Sequence, residues 1–322
     1  MRTIDTHTHV VPSGLAAPDH DERWPVVVER DEGSADVLIA GRVFRTVPRT
    51  AYDLEHRAEQ LAPDHVQVLS PMPELFSYWG RPEAAADYCT SVNEWIAAGV
   101  NKFRHAFRGF GIAAMQDPDV ACGQLSHIAA LGLPGVEIGS NIAGVPLHDK
   151  RYIEFFDEAS RLGLVVFIHA FHPPGIGTFT DPMAGNGVTF PNEIGQAVGG
   201  LIAEGVLERF SALKILASHG GGSLVSLLPR LQFIAKNYER ARILMPRDPA
   251  DYARKIHYDM LVFSAPLLNL LLDNVGAGRV VIGSDKPFMN HDPVTLLERF
   301  PHLGSATIES IRWGNAARLL GL

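Results

Sequence analysis

Two histidines near the amino terminus have a spacing that suits metal binding. The segment Asp5–His9 contains His7 and His9, with Ile4 before it and Val10-Val11 after it. This pattern predicts a short buried strand, in which residues i and i+2 project from the same face. His7 and His9 can then present two imidazoles to one cation. The alternative is a pair of polar residues on a wet strand face.

Three further residues of ligand type close apolar runs later in the chain. His169 and His219 each end a run that reads as a buried strand, and Asp285 ends another. Each has an alternative reading, because a histidine can be a hydrogen-bonded core residue and an aspartate can cap a helix or a turn. The coincidence of four strand ends with ligand-type residues favours a shared site.

Eight apolar runs alternate with helical patterns. The predicted strands are Thr3–Val10, His65–Pro71, Gly109–Met115, Gly135–Ser140, Leu164–Ala170, Leu213–His219, Lys255–Met260 and Arg279–Asp285. The helical patterns include Arg81–Val100, Asp117–Leu131, Tyr152–Leu162, Asn192–Phe210, Ser223–Arg242 and a last helix, Ala306–Leu320. This alternation predicts an α/β fold, with residues 1–322 forming one (β/α)₈ barrel domain. An open dinucleotide-binding sheet is disfavoured, since no glycine-rich phosphate loop follows an early strand.

Two long segments do not fit a minimal barrel. Pro12–Pro48 is predicted to be an insertion after the first strand, and Phe171–Pro191 a long loop after the fifth. Both belong at the carboxyl rim of the barrel, where active sites are built. Segments of this length are expected to be functional or to form small subdomains.

Barrel closure brings the carboxyl ends of the strands together, and this predicts one metal site. His7, His9, His169 and Asp285 are the predicted ligands of a single divalent ion, Zn²⁺ first and Mn²⁺ as the alternative, with water in a further position. No organic cofactor is expected. His219 then remains to transfer protons, the alternative being a fifth ligand or a supporting residue.

Composition narrows the class of protein. The chain has 322 residues, is 46% hydrophobic, and carries a net charge of −8 with no basic tract, which argues against nucleic acid and anionic membranes as partners. Cys89 and Cys122 lack the spacing of a metal site or a disulfide framework. With no signal peptide and no apolar run of membrane-spanning length, a cytoplasmic protein is expected.

Taken together, these residues resemble the amidohydrolase superfamily, and within it the aminocarboxymuconate semialdehyde decarboxylase branch. The resemblance covers nearly the whole chain, and its elements come in the same order. They are Asp5–His9, Phe44-Arg45, Met72–Trp79, Ser218–Ser223, Gly283–Phe288 and Gly314–Ala316. The His-Gly-Gly-Gly and Gly-Ser-Asp-x-Pro-Phe elements are the most specific of these.

The resemblance implies a distorted barrel with one zinc ion and a proton-handling His219. It also implies that Arg45 and Arg230 hold a substrate carboxylate, with Arg230 reaching the site of the partner subunit in a homodimer. The alternative for each arginine is a solvated surface charge. Phe288 and His172 are further candidate substrate contacts, although for His172 the favoured alternative is a loop histidine without a role.

Three departures from the branch surround the predicted substrate site. This chain reads His169–Pro174 where the decarboxylase has His-Pro-Trp, and Lys286 follows Asp285 where the family has a tyrosine-like residue. The segment Gly175–Phe190 lacks tryptophan. The metal site is therefore carried over better than the substrate.

The predicted activity is metal-dependent, non-oxidative decarboxylation of a small unsaturated or aromatic carboxylic acid. The alternative is a hydrolase or hydratase of the same superfamily, which acts on a ring-cleavage product with metal-activated water. A non-catalytic metal-binding protein is disfavoured, because the sequence offers both a ligand set and a separate proton carrier.

Overall fold

The computed structural model describes residues 1–30, 33–172, 176–289 and 291–322. Within these ranges, the strands are β1 Thr3–Val10, β2 Val26–Arg30, β3 Ser34–Ile39, β4 Arg42–Pro48, β5 His65–Pro71, β6 Phe107–Ile112, β7 Gly135–Gly139, β8 Asn141–Ile142, β9 Val145–Pro146, β10 Val165–His169, β11 Lys214–Ala217, β12 His257–Asp259 and β13 Val280–Val281. Eight of them are parallel and follow one another in the order β1-β5-β6-β7-β10-β11-β12-β13.

The first and last strands meet and close the barrel. Parallel bridges join Asp5 to Ile282 and Thr8 to Lys286. The Thr6 amide also donates to the Ile282 carbonyl at 2.8 Å. Ile4, Phe110 and Phe167 belong to a buried cluster that fills the interior below the rim, so the barrel is a packed core. The predicted (β/α)₈ fold is confirmed.

Helices cover the outside of the barrel. They are α1 Leu54–Gln60, α2 Pro82–Lys102, α3 Pro118–Ala130, α4 Ile153–Leu162, α5 Pro182–Ala203, α6 Val206–Arg209, α7 Leu224–Asn237, α8 Glu239–Leu244, α9 Pro249–Ala253, α10 Ala265–Val275, α11 Pro293–Leu297, α12 Gly304–Glu309 and α13 Asn315–Leu320. Helices α3, α5, α9 and α11 each begin with an aspartate cap followed by proline. The carboxylate accepts a free backbone N–H, and proline suits the first helical position. None of these helices is long and apolar enough to cross a membrane.

The insertion after β1 is a small antiparallel sheet, which the sequence pattern did not reveal. Strands β2, β3 and β4 pair in that order. Ala40 and Gly41 connect β3 to β4 with positive φ values of 52° and 68°, the geometry of a tight two-residue hairpin turn. This turn brings Phe44 and Arg45 onto β4. Asp31 and Glu32 lie outside the described residues.

The predicted long loop Phe171–Pro191 is wrong from Pro182 onward, where helix α5 begins. The Asp181 carboxylate accepts the Met183 amide proton at 2.9 Å, and Pro191 lies inside the helix. Pro173, Pro174 and Gly175 lie outside the described residues.

Three predicted helices are interrupted. Asn192–Phe210 is divided between α5 and α6 by Gly205, whose φ is 74°. Ser223–Arg242 is divided into α7 and α8 at Tyr238. The last helix contains a π-helical turn, Ser310–Gly314.

Candidate metal centre

The carboxyl ends of three barrel strands deliver four side chains to one point. His7 and His9 come from β1, His169 is the last residue of β10, and Asp285 lies four residues after β13. One ligand atom from each residue lies within 4.8 Å of every other. Asp285 has a φ of 60°, in a backbone region that is uncommon outside glycine and often found at functional sites.

The nitrogen and oxygen atoms of this cluster lie at hydrogen-bond distance from one another. His7 Nε2 lies 3.1 Å from His9 Nε2, and His9 Nε2 lies 3.1 Å from Asp285 Oδ1. His169 Nε2 is buried and has no hydrogen-bond partner among the described residues. Only a proton or a cation can lie between two imidazole nitrogens at this distance. Three imidazoles and one carboxylate therefore form a donor set that fits a divalent transition metal ion.

The other ring nitrogen of each histidine already has an acceptor. The contacts are His7 Nδ1 to Asp259 Oδ2 at 2.6 Å, His9 Nδ1 to Pro71 O at 3.2 Å and His169 Nδ1 to Ala170 O at 2.8 Å. Such contacts place the proton on Nδ1 and leave Nε2 free to bind metal. All three rings are thus oriented for one ion.

Asp259, at the end of β12, was not identified from the sequence. Besides His7, its carboxylate accepts the backbone N–H groups of His219 at 3.0 Å and Gly220 at 2.8 Å. Burial alone would raise the pKa of Asp259, but the hydrogen bond from His7 and the charge of that residue hold the pKa below its usual range. A carboxylate near the end of a predicted strand was the available signal.

The pKa shifts of Asp285 and His169 favour the protonation states that bind metal. Burial alone would raise the pKa of Asp285, but the hydrogen bond from His9 and the charge of His7 hold that pKa well below its usual range. Burial lowers the pKa of His169, and the charges of His7 and His9 lower it further. An ionised carboxylate and a neutral imidazole are the forms that bind metal.

His219 lies beside the cluster rather than inside it. Its ring centroid is 5.5 Å from that of His7 and 5.1 Å from that of His169. The Nδ1 atom of His219 lies 3.0 Å from Ser218 Oγ. Burial, followed by the charge of His7, lowers the pKa of His219 to about 4. Its φ of 52° places it in the same uncommon backbone region as Asp285.

An aromatic ring connects Arg45 to the cluster. Phe288 stacks on His9 with ring centroids 5.6 Å apart and an interplanar angle of 25°. The guanidinium carbon of half-buried Arg45 lies 4.6 Å from the centre of the Phe288 ring. The hairpin insertion therefore brings a cation to the rim beside a predicted ligand.

A family comparison agrees with this geometry. Residues 4–322 match the amidohydrolase family model. The chain belongs to the amidohydrolase family.

Named relatives of this amidohydrolase are decarboxylases. It is 32% identical over 331 residues to 2-amino-3-carboxymuconate-6-semialdehyde decarboxylase from Dictyostelium discoideum, with 99% of this chain and 91% of the relative covered. The fold matches that of 5-carboxyvanillate decarboxylase from Sphingomonas paucimobilis, with a TM-score of 0.81, 22% identity, and 100% and 99% of the two chains covered. It also matches dihydroxybenzoic acid decarboxylase from Polaromonas sp. JS666, solved with manganese and 2-nitroresorcinol, with a TM-score of 0.76, 20% identity, and 100% and 97% covered.

Two predicted site residues of this amidohydrolase lie apart from the cluster, and one contact was missed. His172 is exposed, and its ring centroid is 4.1 Å from that of Phe171. Arg230 is exposed on α7 and forms no hydrogen bond or ion pair within the described parts of the chain. Phe190 of α5, by contrast, packs beside His219 with ring centroids 5.8 Å apart. The loop assignment for its segment concealed this contact.

Proposed function

We propose that this member of the amidohydrolase family is a metal-dependent carboxy-lyase. It removes a carboxyl group, as carbon dioxide, from a small unsaturated or aromatic carboxylic acid. The observation that carries the proposal is the placement of the Arg45 guanidinium, through Phe288 and His9, next to a four-residue cluster suited to a cation. The names of the relatives support the same reaction.

His7, His9, His169 and Asp285 would hold the ion. Zn²⁺ is the first candidate, since neutral imidazoles and a single carboxylate suit it. Mn²⁺ is the alternative, because the Polaromonas decarboxylase was solved with manganese. When bound, the ion supplies a Lewis acid for a substrate oxygen.

Arg45 is proposed to hold the substrate carboxylate. A guanidinium binds a carboxylate through two parallel hydrogen bonds, and packing against Phe288 restricts the plane of this one. The carboxylate can then be held out of the conjugated plane of the substrate. Breaking the carbon–carbon bond releases carbon dioxide and leaves the electron pair on the substrate carbon, where the conjugated system delocalises it.

His219 is proposed to relay the proton that completes the reaction. With a pKa of about 4 the ring is neutral at pH 7, so it takes the proton up from solvent and passes it to the substrate carbon. The carbon left by carbon dioxide needs one proton to become a carbon–hydrogen bond. The contact between Nδ1 and the Ser218 hydroxyl fixes the His219 ring, and the amide N–H donated to Asp259 fixes its backbone. Proton transfer by a ring held in this way is typical of general acid–base catalysis.

A homodimer is proposed to bring Arg230 to a second active site. Leu227 and Phe233 lie three residues to either side of Arg230, on the same face of α7. Their side chains are 37% and 61% exposed, so the arginine is flanked by apolar surface. A second copy of the chain could cover this face. Sedimentation should show a dimer that Phe233→Asp dissociates, whereas a monomeric wild-type protein would contradict the proposal.

Carbon dioxide release tests the proposed reaction directly. The protein should be loaded with Zn²⁺ or Mn²⁺ and incubated with 2-amino-3-carboxymuconate-6-semialdehyde, 5-carboxyvanillate and dihydroxybenzoic acids. At least one acid should lose a carboxyl group, and chelator-treated protein should be inactive. Arg45→Gln should raise KM, because the carboxylate loses its cation. With no carbon dioxide released, a product heavier by one water would indicate a hydratase, and two fragments whose masses sum to substrate plus water would indicate a hydrolase.

A further inference from the structure

Phe190 of helix α5 contacts a different part of the site from the one beside the Arg45 hairpin. Its ring centroid is 5.8 Å from that of His219, at an interplanar angle of 37°, and 6.4 Å from that of His169, at 75°. The side chain is half-buried. Phe190 thus covers both the proposed proton carrier and one proposed ligand.

The backbone holds Phe190 in this position. Pro191 follows it inside α5, and the Pro191 carbonyl accepts the Ser223 amide proton at 3.0 Å. A Cβ atom at Gly222 would overlap this carbonyl, and one at Gly195 would overlap Ser223 Oγ. Helix α5 and the turn after His219 are therefore in backbone contact. Phe190 and His219 keep a fixed relation as a consequence.

Phe190 and Phe288 form two aromatic walls of the same site. Phe288 stacks on His9, whereas Phe190 packs beside His169 and His219. The rings of His9 and His169 are themselves only 4.9 Å apart. A substrate carbon skeleton bound at the cluster would therefore contact phenyl surface on either side.

We infer that Phe190 is a specificity-determining residue that selects planar, conjugated acids over saturated acids of the same charge. The inference rests on the proposed function and extends it to the choice of substrate. Aromatic rings attract one another in offset or edge-to-face arrangements beyond the burial of apolar area, by an amount that corresponds to about 2- to 12-fold in affinity. A saturated ring gains affinity only from the burial of its apolar area.

Direct binding to the metal-loaded protein tests this inference. The matched probes are 2-hydroxybenzoate and cis-2-hydroxycyclohexanecarboxylate, which share charge and hydroxyl position but differ in planarity. Wild-type protein should bind the planar acid more tightly. Phe190→Leu keeps the apolar volume and should weaken binding of the planar acid about 3- to 10-fold, while binding of the saturated acid changes less than about 2-fold.

Phe103→Leu is the matched control. Phe103 is another half-buried phenyl, located before β6 at the amino end of the barrel, and its substitution should leave both affinities unchanged. The inference is overturned if the wild type shows no preference for the planar acid, or if Phe190→Leu weakens both acids equally. Because binding is measured without turnover, failure of carbon dioxide release would overturn the proposed reaction and leave this result standing.

Discussion

The two ends of the barrel each contain a histidine in an unfavourable environment for a positive charge. His219 lies at the carboxyl rim, and His257 begins β12 at the amino end. Burial is the largest cause of a lowered pKa in both, and both values fall to about 4. Considered by pKa alone, the two residues are equivalent.

Their neighbours separate them. Beside His219, Asp259 and Asp285 supply carboxylates that act against the charge of His7. Around His257, the charged neighbours are Arg279, Arg318 and Lys214, and its buried Nδ1 has no hydrogen-bond partner in the described ranges. A lowered histidine pKa therefore does not mark a functional site by itself. Carboxylates that converge on neutral imidazoles distinguish the rim from the amino end.

Removal of the Asp285 carboxylate at the rim should have the largest effect on metal binding and turnover. Asp285→Ala takes away the single carboxylate of the proposed ligand set, so metal affinity should fall by more than the roughly 10- to 100-fold expected for the loss of an outer contact. Turnover should fall below detection. Metal content after dialysis and carbon dioxide release measure the two effects. Asp251→Asn, an exposed carboxylate on α9, is the control, and equal metal content in both variants would contradict the proposed site.

A smaller loss is expected when the contact behind a ligand is removed. Asp259→Asn keeps the shape of the side chain but weakens the hydrogen bonds that it accepts from His7 Nδ1 and from the backbone amides of His219 and Gly220. Metal affinity should fall about 10- to 100-fold. Excess metal should restore occupancy but only part of the rate, because the His219 backbone also loses its acceptor. Full recovery of the rate would show that Asp259 acts through the metal alone.

The strand ends were predictable because each one carries a strong local signal. A run of buried apolar residues that stops at histidine or aspartate predicts both the strand and its polar end, as at His169. At Asp285 the run predicts the polar residue, although β13 itself ends four residues earlier. Asp259 lay inside the predicted strand Lys255–Met260 rather than at its end, and no motif marked it. The insertion was hidden because its exposed strands do not alternate cleanly between apolar and polar residues.

Contacts between distant segments could not be predicted in this way. The prolines and glycines of 171–191 are typical of a loop, yet Asp181 and Pro182 begin a helix there. Tertiary packing of Pro191 against the Gly222 backbone overrides the local preference, and so it also determines where Phe190 lies. Nothing within either segment alone indicates this contact.

The fixed backbone contact at the rim can be tested through Gly222. Its φ is +56°, and a Cβ atom there would overlap Pro191 O, so Gly222→Ala should lower the free energy of unfolding by about 1–3 kcal/mol. Urea unfolding measures the change. The control is Gly123→Ala on α3, where a Cβ atom meets nothing within 4 Å. That substitution should be neutral or stabilise the protein by up to about 1 kcal/mol, and similar effects of both would argue against a tight contact.

The amino end should show its difference through pH rather than activity. The folded-state pKa of His257, about 4, lies below the unfolded value of about 6.5. His257 therefore binds a proton in the unfolded chain but not in the folded protein. The free energy of unfolding falls as the pH falls from about 6.5 toward 4. Lys214, Arg279 and Arg318 oppose protonation over the same range.

His257→Gln removes this titration and sharpens the comparison between the two ends. Between pH 7 and pH 5, the free energy of unfolding of the wild type should fall by about 1–2 kcal/mol more than that of the variant. Urea unfolding of both proteins in the presence of a chelator isolates the contribution of His257 to this pH dependence, because the rim histidines titrate alike in each protein. Carbon dioxide release at pH 7 should be the same for both proteins, since the charged neighbours of His257 are Arg279, Arg318 and Lys214 rather than any proposed ligand. Parallel stability curves would mean that His257 is protonated in the folded protein at pH 5, and that the surrounding cations do not keep it neutral.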